Sequence, residues 1–420
     1  MEKGSIAIIG FGVSGISATH WSIKFGFSPV VYEKNSTFGG VWHSHTYPGC
    51  MLQTNRDSYT FSDMPMPKEY PIYPSGVQVY TYITDYIQKY NLEKYVRYNS
   101  TVQSIKKIES KWHIYVDNKL HIYDYIVLST GFYKSANNKF PHSLLPYEIK
   151  KDKIDSTFYN KKVVVVGNGP SGCDIACLAV ENNAYDVKIL YRSPRWIVPR
   201  YLYGKSLHFL IWRIFLSIAK VFPSSLFRVS LIILYTLPFF HFNFPIEKAT
   251  RTNLTLNDKI YEFSKNNKLS YINETVLNVE SINRVSTNLG HHEFDVLIDA
   301  RGYSSGIPLL GYHNNIPKLY RHIIIPGIDN LGIIGFAATF NWIQVSDIQS
   351  RWLMNVFTGK IKIPSIIQQQ ISIGSDDNID YHDLAYNTYD YCDLLHYEIT
   401  NNKRINIKRW FQTPYYNFYE

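Results

Sequence analysis

The chain has 420 residues, 45% of them hydrophobic, enough for two or three domains with cores of their own, which excludes general disorder. Its formal net charge of +9 at pH 7 favours anionic ligands or an anionic membrane surface. The basic residues are scattered, however, and no zinc-finger spacing, RNP-like motif or basic helix argues for nucleic acid.

The first element is a short apolar strand, IAIIG, that runs into Gly10, Phe11, Gly12, Val13, Ser14 and Gly15. A helix is expected from about Ser14 to Gly26, and PVVYEK then forms a second strand ending in Glu33. Glycine is required here for a steric reason: only a residue without Cβ lets the backbone approach a pyrophosphate, which then meets the N–H groups and positive end of the helix. Glu33 falls near the interval at which such a βαβ unit brings a carboxylate to the ribose hydroxyls of a dinucleotide. The competing reading is a glycine-rich turn of an ordinary α/β protein.

The same plan recurs at 163–176, VVVVGNGPSGCDIA, with Gly167, Gly169, Ser171 and Gly172 in the turn. Cys173 and Cys177 lie one helical turn apart in CDIAC, which is not the Cys-x-x-Cys of a redox pair, and two thiols without further ligands make a poor metal site; both are expected to pack as small hydrophobes. With Cys50 and Cys392 they make four cysteines, too few and too dispersed for a disulfide framework. No secretory leader precedes the first strand, and a reducing, cytoplasmic setting is expected. The second unit's second strand ends in VKILYRSPRW, placing Arg192, Ser193 and Arg195 where the first unit has Glu33. Guanidinium groups pair bidentately with a 2′-phosphate that a carboxylate would repel, so the first site suits an adenine dinucleotide with free ribose hydroxyls and the second suits NADP. Ordinary surface charge is the competing account of the two arginines.

Residues 205–244 form the most apolar stretch, divided by Pro223 and Pro238 and interrupted by Arg213, Lys220 and Arg228. No run reaches the roughly 20 apolar residues of a spanning helix. Two readings stay open: an inserted helical subdomain that covers an active site and rests on a membrane surface, or a helix pair buried in the protein. Two segments, YDYIVLSTGFY at 123–133 and FDVLIDARGYSSG at 294–306, share an acid, an apolar strand, a glycine turn and an aromatic residue. They are expected to be paired crossing strands that join the two units, or else two ordinary buried strands ending in glycine turns.

The chain resembles the flavin-containing monooxygenases of plants and animals from Ile6 to at least Lys360. Beyond the two turns, the resemblance is carried by FGGVWHSHTYPGCMLQTNRDSYTFSDMP at 38–65, which holds Gly39, Gly40 and Trp42 followed by Leu-Gln-Thr-Asn and Phe-Ser-Asp segments. LYRHIIIPGIDNLGIIGF at 319–336 and VSDIQSRW at 345–352 resemble the family's C-terminal return to the flavin.

The resemblance implies an α/β fold of two Rossmann-like dinucleotide-binding domains. An FAD domain spans 1–155 and 295–420, and an NADPH domain, 156–294, is inserted in it with a helical insertion at about 200–260. It implies that the first turn and Glu33 hold FAD, with Gly40, Val41 and Trp42 near the flavin and Val102 and Gly131 among the contacts. Thr54 and Asn55 match a Thr-Asn pair whose amide hydrogen-bonds near the flavin and nicotinamide, which makes Asn55 the candidate catalytic residue; an Asx-turn role is its alternative. Ser171, Gly172, Cys173 and Asp174 would start the NADPH helix, with Arg192, Ser193 and Arg195 on the 2′-phosphate. The implied reaction has NADPH reduce FAD, after which a C4a-hydroperoxyflavin passes one oxygen atom of O2 to an amine nitrogen or sulfur of a small molecule. Homo-oligomerisation is left open.

Departures from the family pattern are also present. Its identifying motif, Phe-x-Gly-x-x-x-His-x-x-x-Tyr or Phe, corresponds here to IKKDKIDSTFY, with Ile149, Lys151 and Asp155 in place of Phe, Gly and His, and only Tyr159 fitting. Arg301 stands where a threonine is usual. These changes bear on NADPH handling and keep an NADPH oxidase that releases hydrogen peroxide as an alternative. A Baeyer–Villiger ketone oxygenase is disfavoured because its fingerprint, a His before a Trp-Pro pair, is missing, and a disulfide reductase because there is no redox cysteine pair.

Overall fold

The computed structural model describes residues 3–133, 135–136, 139–202, 205–206, 254–313, 315–337, 339, 341–375 and 384–401. The apolar stretch expected to form a helical insertion lies, apart from 205–206, outside the described residues. Among the described residues no helix is long and apolar enough to cross a membrane.

The first unit opens with β1 (Ser5–Ile9), α1 (Val13–Lys24) and β2 (Ser28–Tyr32). After a short α2 (Val41–Ser44) comes α3 (Gly76–Lys89), started by a reciprocal capping box in which Ser75 and Gln78 each bond the other's backbone N–H. Val79, Tyr82, Ile83, Tyr86 and Ile87 give α3 one buried stripe at helical spacing. Then follow β3 (Val96–Arg97), an antiparallel meander of β4 (Val102–Ile108), β5 (Lys111–Val116) and β6 (Lys119–Tyr123), and β7 (Tyr125–Leu128). Two-residue strands β8 (Ser135–Ala136) and β9 (Ser143–Leu144) and a short α4 (Ile154–Phe158) lead to the second unit.

That unit repeats the order. It has β10 (Lys162–Val166), α5 (Pro170–Glu181), β11 (Asp186–Leu190), a stalk of short strands β12 (Trp196–Val198), β13 (Tyr201–Leu202), β14 (Lys205–Ser206) and β15 (Leu254–Leu256), then α6 (Ile260–Lys265) and β16 (Ser270–Ile272). A second meander, β17 (Val276–Ser281), β18 (Arg284–Thr287) and β19 (His291–Glu293), precedes β20 (Val296–Asp299). The chain returns through β21 (Tyr303–Ser304) to β22 (Leu331–Ile333), and ends the described part with α7 (Trp342–Phe357), α8 (Ile366–Ser375) and α9 (Leu384–Thr400).

Two five-stranded parallel sheets result, ordered β22-β7-β1-β2-β3 and β9-β20-β10-β11-β16. The two orders superimpose strand for strand, and each meander sits at the same point of its unit. Both central strands are buried on both faces, which is why they read as unbroken Ile/Val runs and not as alternating patterns. On the first sheet, Trp112, Ile114 and Val116 of the meander cover Ala7, Ile9, Ile126 and Leu128. The opposite face is closed by α1 and α7, whose Trp352, Leu353 and Met354 share a core with Ile6, Ile8 and Ile16.

Crossing strands are present, but the apolar strands of the look-alike segments are not the ones that pair: β7 and β20 lie in separate sheets, and it is β8, just after the first segment, and β21, near the end of the second, that pair antiparallel between the units. The expected division of the chain, however, assigned 143–144 and 296–299 to the first unit. By sheet membership they belong to the second, because β20 pairs with β10 and β9 extends that edge.

Candidate functional site

The first turn is built by close backbone approach. Gly10 has φ +100°, and a Cβ on it would lie 2.5 Å from the Ser129 carbonyl oxygen; one on Gly15 would lie 1.9 Å from the carbonyl oxygen of Gly10. Gly12 caps α1 without any side-chain bond, so the N–H groups of the first helical turn stay available to a ligand. Glu33 is buried, and its two carboxylate oxygens accept from Phe11 N–H at 2.8 Å and Asn35 N–H at 2.9 Å. The acid is thereby fixed at the mouth of the turn. Ser100 N–H donates to the Glu33 carbonyl at 2.9 Å, which brings the start of β4, with half-buried Val102, to the same end.

The Gly-Gly element rests on this turn. Gly39 N–H donates to the Phe11 carbonyl at 3.0 Å, and a Cβ on Gly40 would come within 3.1 Å of the Gly12 Cα. Val41 and Trp42 of α2 are carried there, and the Trp42 indole N–H donates to the Tyr59 hydroxyl at 3.1 Å. From the other end of the chain, Ser14 meets Ser346 of α7 at 2.9 Å, oxygen to oxygen, and Gly335 packs directly on Ser14. Trp21 donates to Asp347 at 2.8 Å, so both segments read as the C-terminal return are docked on α1.

Asn55 is buried, and its Oδ1 accepts from Ser58 N–H at 2.9 Å, capping a 3₁₀ turn at Arg56–Ser58. The loop-shaping role weighed from sequence is therefore real. It also orients the amide, because the bond from Ser58 N–H fixes which way the oxygen and the N–H₂ end face. The neighbouring Thr54 hydroxyl is buried without a hydrogen-bond partner, as is that of Thr130 beside Gly10. Gly131 has φ +87° with open space where a Cβ would point.

The second turn has the same geometry. Gly167 has φ +111° with a virtual Cβ 2.5 Å from the Ala300 carbonyl oxygen, and Gly172 would clash with the Gly167 carbonyl oxygen at 2.0 Å. Gly169 caps α5 with no side-chain bond and nothing near its Cβ direction, and Pro170 takes the first helical position, where its missing N–H costs nothing. Arg192 and Ser193 are exposed and Arg195 half-buried beyond the end of β11, the place Glu33 holds in the first unit. Asn168, inside the turn, donates to the Ser193 carbonyl at 3.0 Å and to the Tyr271 hydroxyl at 2.8 Å, which ties the arginine loop to the turn.

Two predicted contacts point elsewhere. The Cys173 thiol is fully buried and donates to the Asn168 carbonyl at 3.4 Å; burial pushes it well above the usual thiol range. The Asp174 carboxylate faces the first unit, accepting from the Tyr47 hydroxyl at 3.1 Å and the Asn257 amide at 3.0 Å, with Arg200 at 4.0 Å. Burial outweighs the Arg200 charge and raises Asp174 to about 6. None of the four cysteines is in a disulfide. Tyr47, Gln53, Asn168 and Asn257 escaped the sequence reading because their partners lie in distant segments; the only signal was proximity of Tyr47 and Gln53 to the Gly-Gly and Thr-Asn motifs.

The departures have structural settings. Asp155 is exposed on α4, while Ile149 and Phe158 anchor that segment in the second core. Arg301 chelates buried Asp299 at 2.8 and 2.7 Å and stacks on Phe140 with its guanidinium 3.6 Å from the ring centre.

The residues present fit two dinucleotides: each turn combines glycines that admit no Cβ, an uncapped helix start and a charged group at the second strand end, and buried Thr54 and Thr130 hydroxyls lack partners beside the first. The profile of the flavin-binding monooxygenase-like family matches residues 3–408. The chain is 26% identical over 415 residues to flavin-containing monooxygenase 5 of Homo sapiens, covering 87% of this chain and 75% of that protein. Among solved structures it resembles S-allyl-L-cysteine S-oxygenase from Allium sativum, with a TM-score of 0.67, 17% identity and coverage of 97% and 90%. It also resembles an oxidized steroid monooxygenase bound to NADP, with a TM-score of 0.67, 16% identity and coverage of 84% and 85%. On the family match, which spans nearly the whole chain, this protein belongs to the flavin-binding monooxygenase-like family.

Proposed function

We propose that the protein is an FAD- and NADPH-dependent monooxygenase that delivers one oxygen atom of O2 to a soft nucleophile, an amine nitrogen or a thioether sulfur, of a small molecule. The observation that carries this reading is the pairing of two turns of one topology with opposite charge at the second strand end: Glu33 on the first, Arg192 and Arg195 on the second.

Bound FAD, reduced by NADPH, supplies the oxygen-activating chemistry. The chain's own part is binding, orientation and exclusion of water. Glu33, held by two backbone N–H groups, keeps lone pairs for ribose hydroxyls and repels a 2′-phosphate. The uncapped starts of α1 and α5 present N–H groups to pyrophosphates. Asn55, its oxygen tied to Ser58, offers a neutral donor that stabilises developing negative charge without releasing a proton. The α1–α7 packing and the Gly-Gly element close the first turn against water.

The test counts products. Purified protein with NADPH and O2 is offered tertiary amines and thioethers, and NADPH consumed is compared with N-oxide or S-oxide and hydrogen peroxide formed. Near-equal product and NADPH is the expected result; peroxide equal to NADPH with every compound refutes oxygen transfer. That outcome would favour an NADPH oxidase, a reading to which the Arg301–Asp299 pin beside the second turn lends support. Ketones in the panel test the Baeyer–Villiger alternative. Peripheral membrane contact through 205–244 and homo-oligomerisation belong to the same reading and are checked by vesicle sedimentation and light scattering.

A further inference from the structure

The loop that carries Thr54 and Asn55 is bonded to the helix of the second turn through a two-residue segment that no motif marks. Gln53 and Leu256, 203 positions apart, exchange hydrogen bonds: Leu256 N–H donates to Gln53 Oε1 at 2.8 Å, and Gln53 Nε2 donates to the Leu256 carbonyl at 3.3 Å. The next residue, Asn257, donates from its amide to Asp174 of α5 at 3.0 Å. Its oxygen accepts from Lys259 and Ile260 N–H at 3.0 and 2.9 Å, and its own N–H donates to the Val198 carbonyl at 2.9 Å.

The segment is therefore held on every side. Leu256 is packed in a small core with Tyr73 and Val198, flanked by Met51 and Ile72 of the first unit. On the loop side, Leu52 N–H donates to the Pro74 carbonyl and Arg56 N–H to the Ile72 carbonyl, at 2.9 and 2.8 Å. Asp174, Asn257, Leu256 and Gln53 thus form one continuous chain of bonded groups from α5 to the loop.

We infer that Leu256–Asn257 is a mechanical link between the two dinucleotide sites, and that Gln53 is a positioning residue that sets the Asn55 amide according to occupancy of the second turn. This rests on the reading of that turn as the NADPH site. Its benefit is chemical: the donor at the flavin would be fully placed only when the nicotinamide nucleotide is bound.

Amide hydrogen exchange on the purified protein, with and without NADP⁺, tests the link without turnover. Peptides covering 167–175 report the second turn itself, and peptides covering 51–56 report the loop. In the native protein both are expected to slow on adding NADP⁺, the loop by about threefold or more. In Gln53→Met, of similar length but unable to make either bond, the 167–175 response should persist and the loop response disappear. A loop response that survives Gln53→Met overturns the proposal, and so does a native loop indifferent to NADP⁺ while 167–175 responds. If 167–175 does not respond, the NADPH reading itself has failed. Should Gln53→Met lose its fold, Gln53→Glu decides: it keeps the acceptor for Leu256 N–H but not the donor, so a reduced loop response is expected and an undiminished one refutes the link.

Discussion

Gly169 and Gly172 stand three residues apart in one turn, and replacing each with alanine separates ligand space from packing space. A methyl at Gly172 would sit 2.0 Å from the Gly167 carbonyl oxygen, far inside contact distance, so β10 and α5 must part. Overpacking of this kind costs about 1–3 kcal/mol, and Gly172→Ala should lose that much stability in urea denaturation whether or not nucleotide is present. Gly169 has φ −72° and nothing within 4 Å of its Cβ direction. Alanine there reduces unfolded-state entropy, which stabilises by about 0.4–1 kcal/mol, and weakens the N-cap by a comparable amount, so stability should stay within about 0.5 kcal/mol of the native protein. NADPH affinity should nevertheless fall at least about tenfold, some 1.4 kcal/mol, because the methyl takes the space through which the pyrophosphate meets the helix. Titration of NADPH against bound-flavin or tryptophan fluorescence reads this directly. Native affinity in Gly169→Ala would refute the placement of the pyrophosphate, and native stability in Gly172→Ala would refute the packing argument.

Replacing both Arg192 and Arg195 with alanine should weaken NADPH more than NADH by about 2–4 kcal/mol, the scale of charge-assisted bonds, with the exposed position of Arg192 favouring the lower end; equal losses would show that neither reads the 2′-phosphate. Asp174, raised to about 6 in the folded chain, binds its proton more tightly there than when unfolded, so its contribution to stability is present below about pH 4 and fades as pH rises through 6. Asp174→Asn should remove that slope, and denaturation curves from pH 4 to 7.5 should move in the variant's favour as pH increases. Arg301→Thr leaves Asp299 buried without its cation and should cost about 2–4 kcal/mol in urea denaturation, whereas Asp155→His, exposed on α4, should stay within about 0.5 kcal/mol. If hydrogen peroxide yield falls in Arg301→Thr, the pin also limits oxygen transfer.

The parts of this fold that were legible in the sequence are those written locally. A glycine that must admit a neighbouring carbonyl announces itself, and so does an acid or arginine placed one βαβ interval later; Gly10, Gly15, Glu33, Gly167, Gly172 and Arg192 were all found that way. That paired strands join the units is legible in the likeness of 123–133 and 294–306, although the strands that pair are β8 and β21 at the ends of those segments and not their apolar runs. What escaped was non-local. Strand β20 looks like a return to the first unit until its partner β10 is known, and a two-residue strand such as β9 has no pattern of its own. Which way Asp174 points depends on Tyr47 and Asn257, in loops of opposite units. Asn55 forms its loop through the bond from Ser58 N–H, and that role does not by itself decide whether its amide also serves a ligand.

The sheet orders also bear on how the chain reaches this state during synthesis. The strands of the second sheet, from β9 to β20, occupy one continuous stretch of chain and can pair once that stretch has emerged from the ribosome. The first sheet cannot: β7 keeps an open edge until β22 arrives about two hundred residues later, and α1 keeps an uncovered face until α7 follows. The unit begun first is thus completed last, and its exposed strand edge in the interval is where a chaperone would be needed and where a truncated nascent chain would aggregate.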